Sequence, residues 1–200
     1  MNVDDYQAKI TSLLYDEIRA AIPPLLAELE GQSIFAFGLV SFDGPCVQGV
    51  AACSREGLAA RTEELNKSAM SSSKAEVYCA EWNYLGNAVS ESLDLSYELS
   101  DKFYDGAVEG LDESVSWDVA QERFNRVFLD AGVYVLARLR DSGKFPVPPF
   151  EADLFLGLHN PDPGRDALHT MIASSKVLNS AEWHAKLVTA LPDPTSIDHA

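Results

Sequence analysis

The chain lacks any apolar run long enough to cross a membrane. Its longest apolar stretches, such as Ile34 to Val40, fall far short of the ~20 residues that a spanning helix needs. The opening residues Met1-Asn2-Val3-Asp4-Asp5 carry neither the basic start nor the apolar core of a signal peptide. These absences lead us to expect a cytoplasmic protein with no membrane association. Cysteine is scarce, at Cys46, Cys53 and Cys79, and three thiols cannot all pair within one chain. On one strand Cys46 and Cys53 would lie ~23 Å apart on opposite faces. A disulfide needs Cα atoms within roughly 7 Å. The cysteines are therefore read as small buried hydrophobes in a reducing compartment.

The motifs that announce chemistry are missing too. No C-x-x-C or H-E-x-x-H spacing occurs among Cys46, Cys53, Cys79 and the histidines His159, His169, His184 and His199, so no zinc site is expected. A serine nucleophile on a sharp elbow would need G-x-S-x-G. Phosphate cradles would need G-x-x-x-x-G-K-[ST] or G-x-G-x-x-G. Neither form is present, and we expect no cofactor, no metal and no catalytic residue. The Ser71-Ser72-Ser73 run reads as part of a loop over 68–74.

Basic residues are in short supply. The net charge is −16, and residues 81–122 hold 11 acids against one base, Lys102. Nucleic-acid binding is disfavoured, because phosphate recognition needs a basic footprint. Anionic membrane surfaces are disfavoured for the same reason.

What is present fits one globular domain. The chain has 200 residues, 46% of them apolar, enough to bury a core. Helical spacing covers residues 3–30, with a break expected at Pro23-Pro24 and a stop at Gly31. Ser33 to Phe42 and Cys46 to Cys53 read as a β-hairpin around Asp43-Gly44-Pro45. Gly49 within it suggests a bulge or a close backbone approach. A helix follows over Arg55 to Lys67, then an extended piece, Val77-Tyr78-Cys79, delivering Trp82 to the core. Helices are expected over 83–105 and from Ser116 or Asp118 to about Arg140, the second burying Ala120, Phe124, Val127, Ala131, Val135 and Leu139. Asp153 to His159 reads as a third strand, followed by helices over 165–178 and 180–190. The expected fold is α+β, a small antiparallel sheet of three to four strands packed against several helices over 1–191, with a disordered tail at 192–200.

Two regions stand out as candidate sites. In the acidic stretch, Asp101, Asp105, Glu109, Asp112, Glu113 and Trp117 are candidate partner contacts, Trp117 as an amphipathic anchor amid carboxylates. Packing onto the first turn of the next helix is the simpler role for Trp117. Asp101 and Asp105, four apart on an expected helix, could offer a cation two oxygen ligands, though a solvated acidic face is the simpler reading. At a strand end, His159 with Asn160 and Asp162 occupies the kind of loop where enzymes place functional groups. A turn histidine closing the strand is the simpler reading there.

The region Phe35 to Cys53, the Arg55-Glu56-Gly57-Leu58 helix start, Ala80-Glu81-Trp82-Asn83-Tyr84 and Ser174-Ser175-Lys176-Val177-Leu178-Asn179-Ser180 together resemble a bacterial group, domain-of-unknown-function family 4303. The likeness spans roughly residues 5 to 190. It implies a bacterial origin and an α+β fold, and it carries over no catalytic residues. Small acidic bacterial proteins of this kind also look like immunity proteins, which block a neighbouring toxin. The expectation is a non-enzymatic domain binding a basic protein such as a cognate toxin. The alternatives are an enzyme or ligand-binding domain with a site at 159–162, or an acidic housekeeping domain.

Overall fold

The computed structural model describes residues 3–41, 47, 49–61, 72–86, 117–160 and 164–192, excepting the side chains of 3, 4, 6, 72, 73, 117–125 and 128. Helix α1, Val3–Glu28, runs through Pro23 and Pro24 without the expected break. Each proline deprives a carbonyl four residues back, on Arg19 or Ala20, of its donor. Those residues and both prolines are exposed, so solvent can satisfy the two carbonyls. On the other side Ile18, Ala21, Ile22 and Leu25 are buried in one continuous stripe, and this packing carries the helix across. Gly31, with φ +77°, then turns the chain where residues with side chains are strained.

Four strands follow: β1 Ile34–Val40, β2 Gly49–Ser54, β3 Tyr84–Gly86 and β4 Phe150–His159. They form one sheet in the order β3-β2-β1-β4, so the α+β architecture of the sequence reading is present. One detail differs. β1 and β2 pair antiparallel, as do β2 and β3, but β4 lies parallel to β1, so the sheet is mixed rather than wholly antiparallel. Parallel partners need a long crossover connection, and everything from β2 to helix α4, Trp117–Asp141, intervenes here.

Helices cover both faces, which is why every residue of β1 and β2 is buried and β1 reads as an unbroken apolar run. On the first face α1 and α4 pack over Phe37, Leu39, Val50, Ala52, Leu156 and Leu158. Of the stripe expected on α4, Val127, Ala131, Val135 and Leu139 are buried; the side chains of Ala120 and Phe124 lie outside the described residues. On the second face α3 Ser72–Val77, α5 Arg165–Leu178 and α6 Ala181–Ala190 contribute Ala75, Val77, Leu168, Met171, Trp183 and Leu187. A bulge at Ile34/Ala36 turns Phe35 and Ala36 to this same face before alternation resumes.

Three further segments correct the sequence reading. Ser72 to Val77 is helical, where a loop through 74 and then an extended piece were expected. Cys79–Glu81 forms a 3-10 turn, which still delivers Trp82 to the core. Tyr84–Gly86 is a strand paired with β2, not the start of a helix. Tyr84 and Gly86 are buried and Leu85 is 47% exposed, an alternation too short to read in sequence. The rest of the helix expected to 105, the 43–45 turn, Cys46 and residues 62–70 and 193–200 lie outside the described residues.

β4 is an edge strand, and an edge with unpaired backbone groups invites pairing with other chains. Asn179, just after α5, closes it. The Asn179 side chain accepts from Leu156 N and donates to Leu156 O, both at 2.7 Å, as a neighbouring strand would. Trp183 Nε1 donates to Asp153 O at 2.9 Å. Much of the 174–180 motif is accounted for by this docking: Ser175 Oγ accepts from Asn179 Nδ2, and Ser180 Oγ caps α6 by accepting from Trp183 N. Asn179→Ala leaves two strand groups without partners and is expected to lower folding stability by about 2 kcal/mol. Chemical denaturation measures this, and a change within ~0.5 kcal/mol would mean that solvent replaces the asparagine without loss.

Candidate functional site

The sequence offered two candidate regions, and the structure treats them very differently. Asp101, Asp105, Glu109, Asp112 and Glu113 lie outside the described residues, as does Asp162. Trp117 is the first residue of α4. Asn160 is half-buried. His159 is placed in detail: it ends β4, opposite Val40 of β1, and its carbonyl accepts from Ser41 N at 2.9 Å.

The His159 side chain turns inward, not toward the loop. β1 and β4 place Gly38 and Gly157 directly opposite each other, and the imidazole lies across this pair. A Cβ at Gly38 would sit 2.4 Å from His159 Cδ2, and one at Gly157 would sit 2.3 Å from Nε2. Two missing side chains therefore make the hollow that the ring fills. Trp82 meets the ring edge-to-face at 4.7 Å between centroids, and Phe155 lies 5.9 Å away. The residue is only 3% exposed.

Other buried polar side chains in this half of the molecule have partners. Ser54 Oγ caps the short helix α2, Arg55–Ala60, by accepting from Gly57 N at 2.9 Å. Ser174 Oγ donates to Met171 O at 3.0 Å. For His159, neither Nδ1 nor Nε2 has a hydrogen-bond partner among the described residues. Burial in these apolar surroundings pushes its pKa down to about 3, so the ring is neutral at physiological pH. Such a ring is out of reach of a substrate in solvent and does not serve as its general base. The position suggested a strand-end site; the two glycines needed to see otherwise are remote from each other in sequence.

The remaining chemistry on this face is ionic and structural. Arg55 binds Glu151 through two parallel bonds, Nε to Oε1 at 2.8 Å and Nη2 to Oε2 at 2.9 Å. Its Nη1 also reaches Glu76 Oε1 at 3.0 Å, and Lys186 Nζ meets Glu76 Oε2 at 2.8 Å. The guanidinium stacks over Phe35, 4.0 Å from the ring centre. The hydrogen bonds from Arg55 hold the Glu151 carboxyl below its ordinary pKa, and those to Glu151 raise that of Arg55. Arg61 is likewise held by the side chain and backbone carbonyl of Glu81. These pairs tie α2, α3, α6 and β4 together.

The thiols of Cys53 and Cys79 are free and buried in the second core. Burial pushes both up to about 12, which makes them poor nucleophiles. Among the described residues no group of three or more His, Cys, Asp or Glu side chains converges as a metal site. No helix among them is long and apolar enough to cross a membrane. Comparison of the chain with family models, with curated proteins and with solved structures finds no match.

Proposed function

We propose that this protein is a non-enzymatic, cytoplasmic binding domain that engages a basic protein through its acidic stretch. The specific form we favour is a bacterial immunity protein that neutralises a toxin by covering it, in keeping with the broad likeness to small acidic bacterial immunity proteins. The observation that carries this reading is the charge of residues 81–122, 11 acids against one base within a chain of net charge −16. A field of one sign steers an oppositely charged partner and speeds its encounter. Several cations of the folded frame are already engaged with carboxylates of that frame, as in Arg55–Glu151, Lys186–Glu76 and Arg61–Glu81. The enzymatic alternative at 159–162 loses its best residue, because the His159 ring is enclosed in the core.

Co-expression with the product of the adjacent gene tests the proposal. A complex is expected to copurify at low salt and to weaken as salt rises. The double substitution Asp112→Lys/Glu113→Lys is expected to lower affinity by roughly tenfold or more. If no complex forms, or if it ignores both salt and charge reversal, the acidic stretch serves solubility alone.

A further inference from the structure

We infer that His159 is a proton-sensitive latch: the carboxyl end of β4 and the end of β1 bonded to it stay seated on the second core only while the imidazole is uncharged. This goes beyond the binding function and does not depend on it. The geometry carries it. The ring is held over the Gly38–Gly157 pair, against Trp82 and Phe155, with no acceptor for a second N–H among the described residues. A charge placed there has no partner among the described residues, and burying an unpaired charge is strongly unfavourable. Leaving the hollow restores its hydration. Because His159 is the last residue of β4, that exit needs only the strand end to lift.

Among the described residues no group packed around the ring compensates the charge. β1 presents Gly38, β4 presents Gly157 and Phe155, and the segment after the 3-10 turn presents Trp82. The titratable groups of the same core, Cys53 and Cys79, stay neutral throughout the acid range. Glu81 is tied to Arg61. On α5 the buried positions are Leu168, Met171, Ser174, Ser175 and Leu178; Arg165 is half-buried, and Asp166 and His169 are exposed. On α6 they are Trp183 and Leu187, with Lys186 held by Glu76. Burial alone accounts for the lowered pKa of His159.

The sign follows from linkage. The folded pKa lies below the released value of about 6.5, so the released state binds more protons between those two values. Opening is therefore favoured as pH falls below about 6.5 and gains nothing further below the folded value. The amide of Ser41, which donates to His159 O, reports the latch. Hydrogen exchange on the full chain, corrected for intrinsic rates, is expected to show its protection falling roughly 25-fold from pH 7 to pH 5. The Leu29 amide, bonded to Leu25 O beneath the first core, is expected to change far less. The Arg55–Glu151 pair does not confuse this window, because its acid loss begins only below the ordinary carboxylate range near 4.5. In His159→Gln the pH dependence at Ser41 should vanish. Ring carbon shifts of His159 give a reading that needs no variant and should stay those of a neutral imidazole to below pH 5. Equal loss of protection at Ser41 and Leu29, a slope that survives in His159→Gln, or a ring titrating near pH 6.5 would each overturn the latch.

Discussion

Replacing Phe155 by alanine is expected to cost about 4 kcal/mol of folding stability, within the range usual for removing a buried aromatic ring. Phe155 is fully buried on β4. Its ring lies 5.3 Å from Trp183, 6.2 Å from Trp82 and 5.9 Å from His159. It thus joins α6, the segment after the 3-10 turn and the sheet in one aromatic group. The void left by alanine faces rigid rings, which collapse poorly into empty space. Urea unfolding measures the loss. A cost below about 2 kcal/mol would mean that the second core relaxes around the gap and that the aromatic group is not its organising centre.

The second large effect is expected at the glycine pair. Gly157→Ala would bring a methyl group 2.3 Å from His159 Nε2, and Gly38→Ala would bring one 2.4 Å from Cδ2. The imidazole has little room to retreat, with Trp82 4.7 Å away on centroids. Overpacking of this kind costs about 3 kcal/mol or more. His159→Ala removes the obstructing ring, so Gly157→Ala should be nearly harmless in that background. The double-mutant cycle is expected to give a coupling of about 3 kcal/mol. Additivity of the two changes would show that the alanine clashes with backbone rather than with the histidine.

Much of the architecture was legible in the chain. The β-branched and aromatic content of Ser33 to Phe42, within which β1 spans Ile34–Val40, and the spacing of Val127, Ala131, Val135 and Leu139 report local preferences that the fold respects. Gly49 suggests a bulge or a close backbone approach, and the structure has the second: a Cβ there would lie 2.8 Å from Gly86 O. Other features depend on partners distant in sequence. Pro23-Pro24 has the propensity of a helix breaker, yet buried neighbours on the opposite side override it. β3 has only three residues, and its pairing with β2 gives no periodic signal. That β4 would join β1 in parallel could not be read from either strand alone. The same holds for the candidate site: His159 was singled out by its place at a strand end, but its role is set by two glycines on neighbouring strands and by Trp82. The acidic stretch, by contrast, is a property of composition, which speaks to association and not to fold.

Two variants compared side by side separate binding from folding most directly. Affinity for the copurified partner and unfolding midpoint would be measured in Asp112→Lys/Glu113→Lys and in His159→Ala. The charge-reversed protein is expected to lose roughly tenfold or more in affinity. His159→Ala is expected to be less stable while binding as tightly as the parent wherever it remains folded. Loss of binding in folded His159→Ala, with the charge-reversed protein binding normally, would contradict the assignment and return function to the strand end.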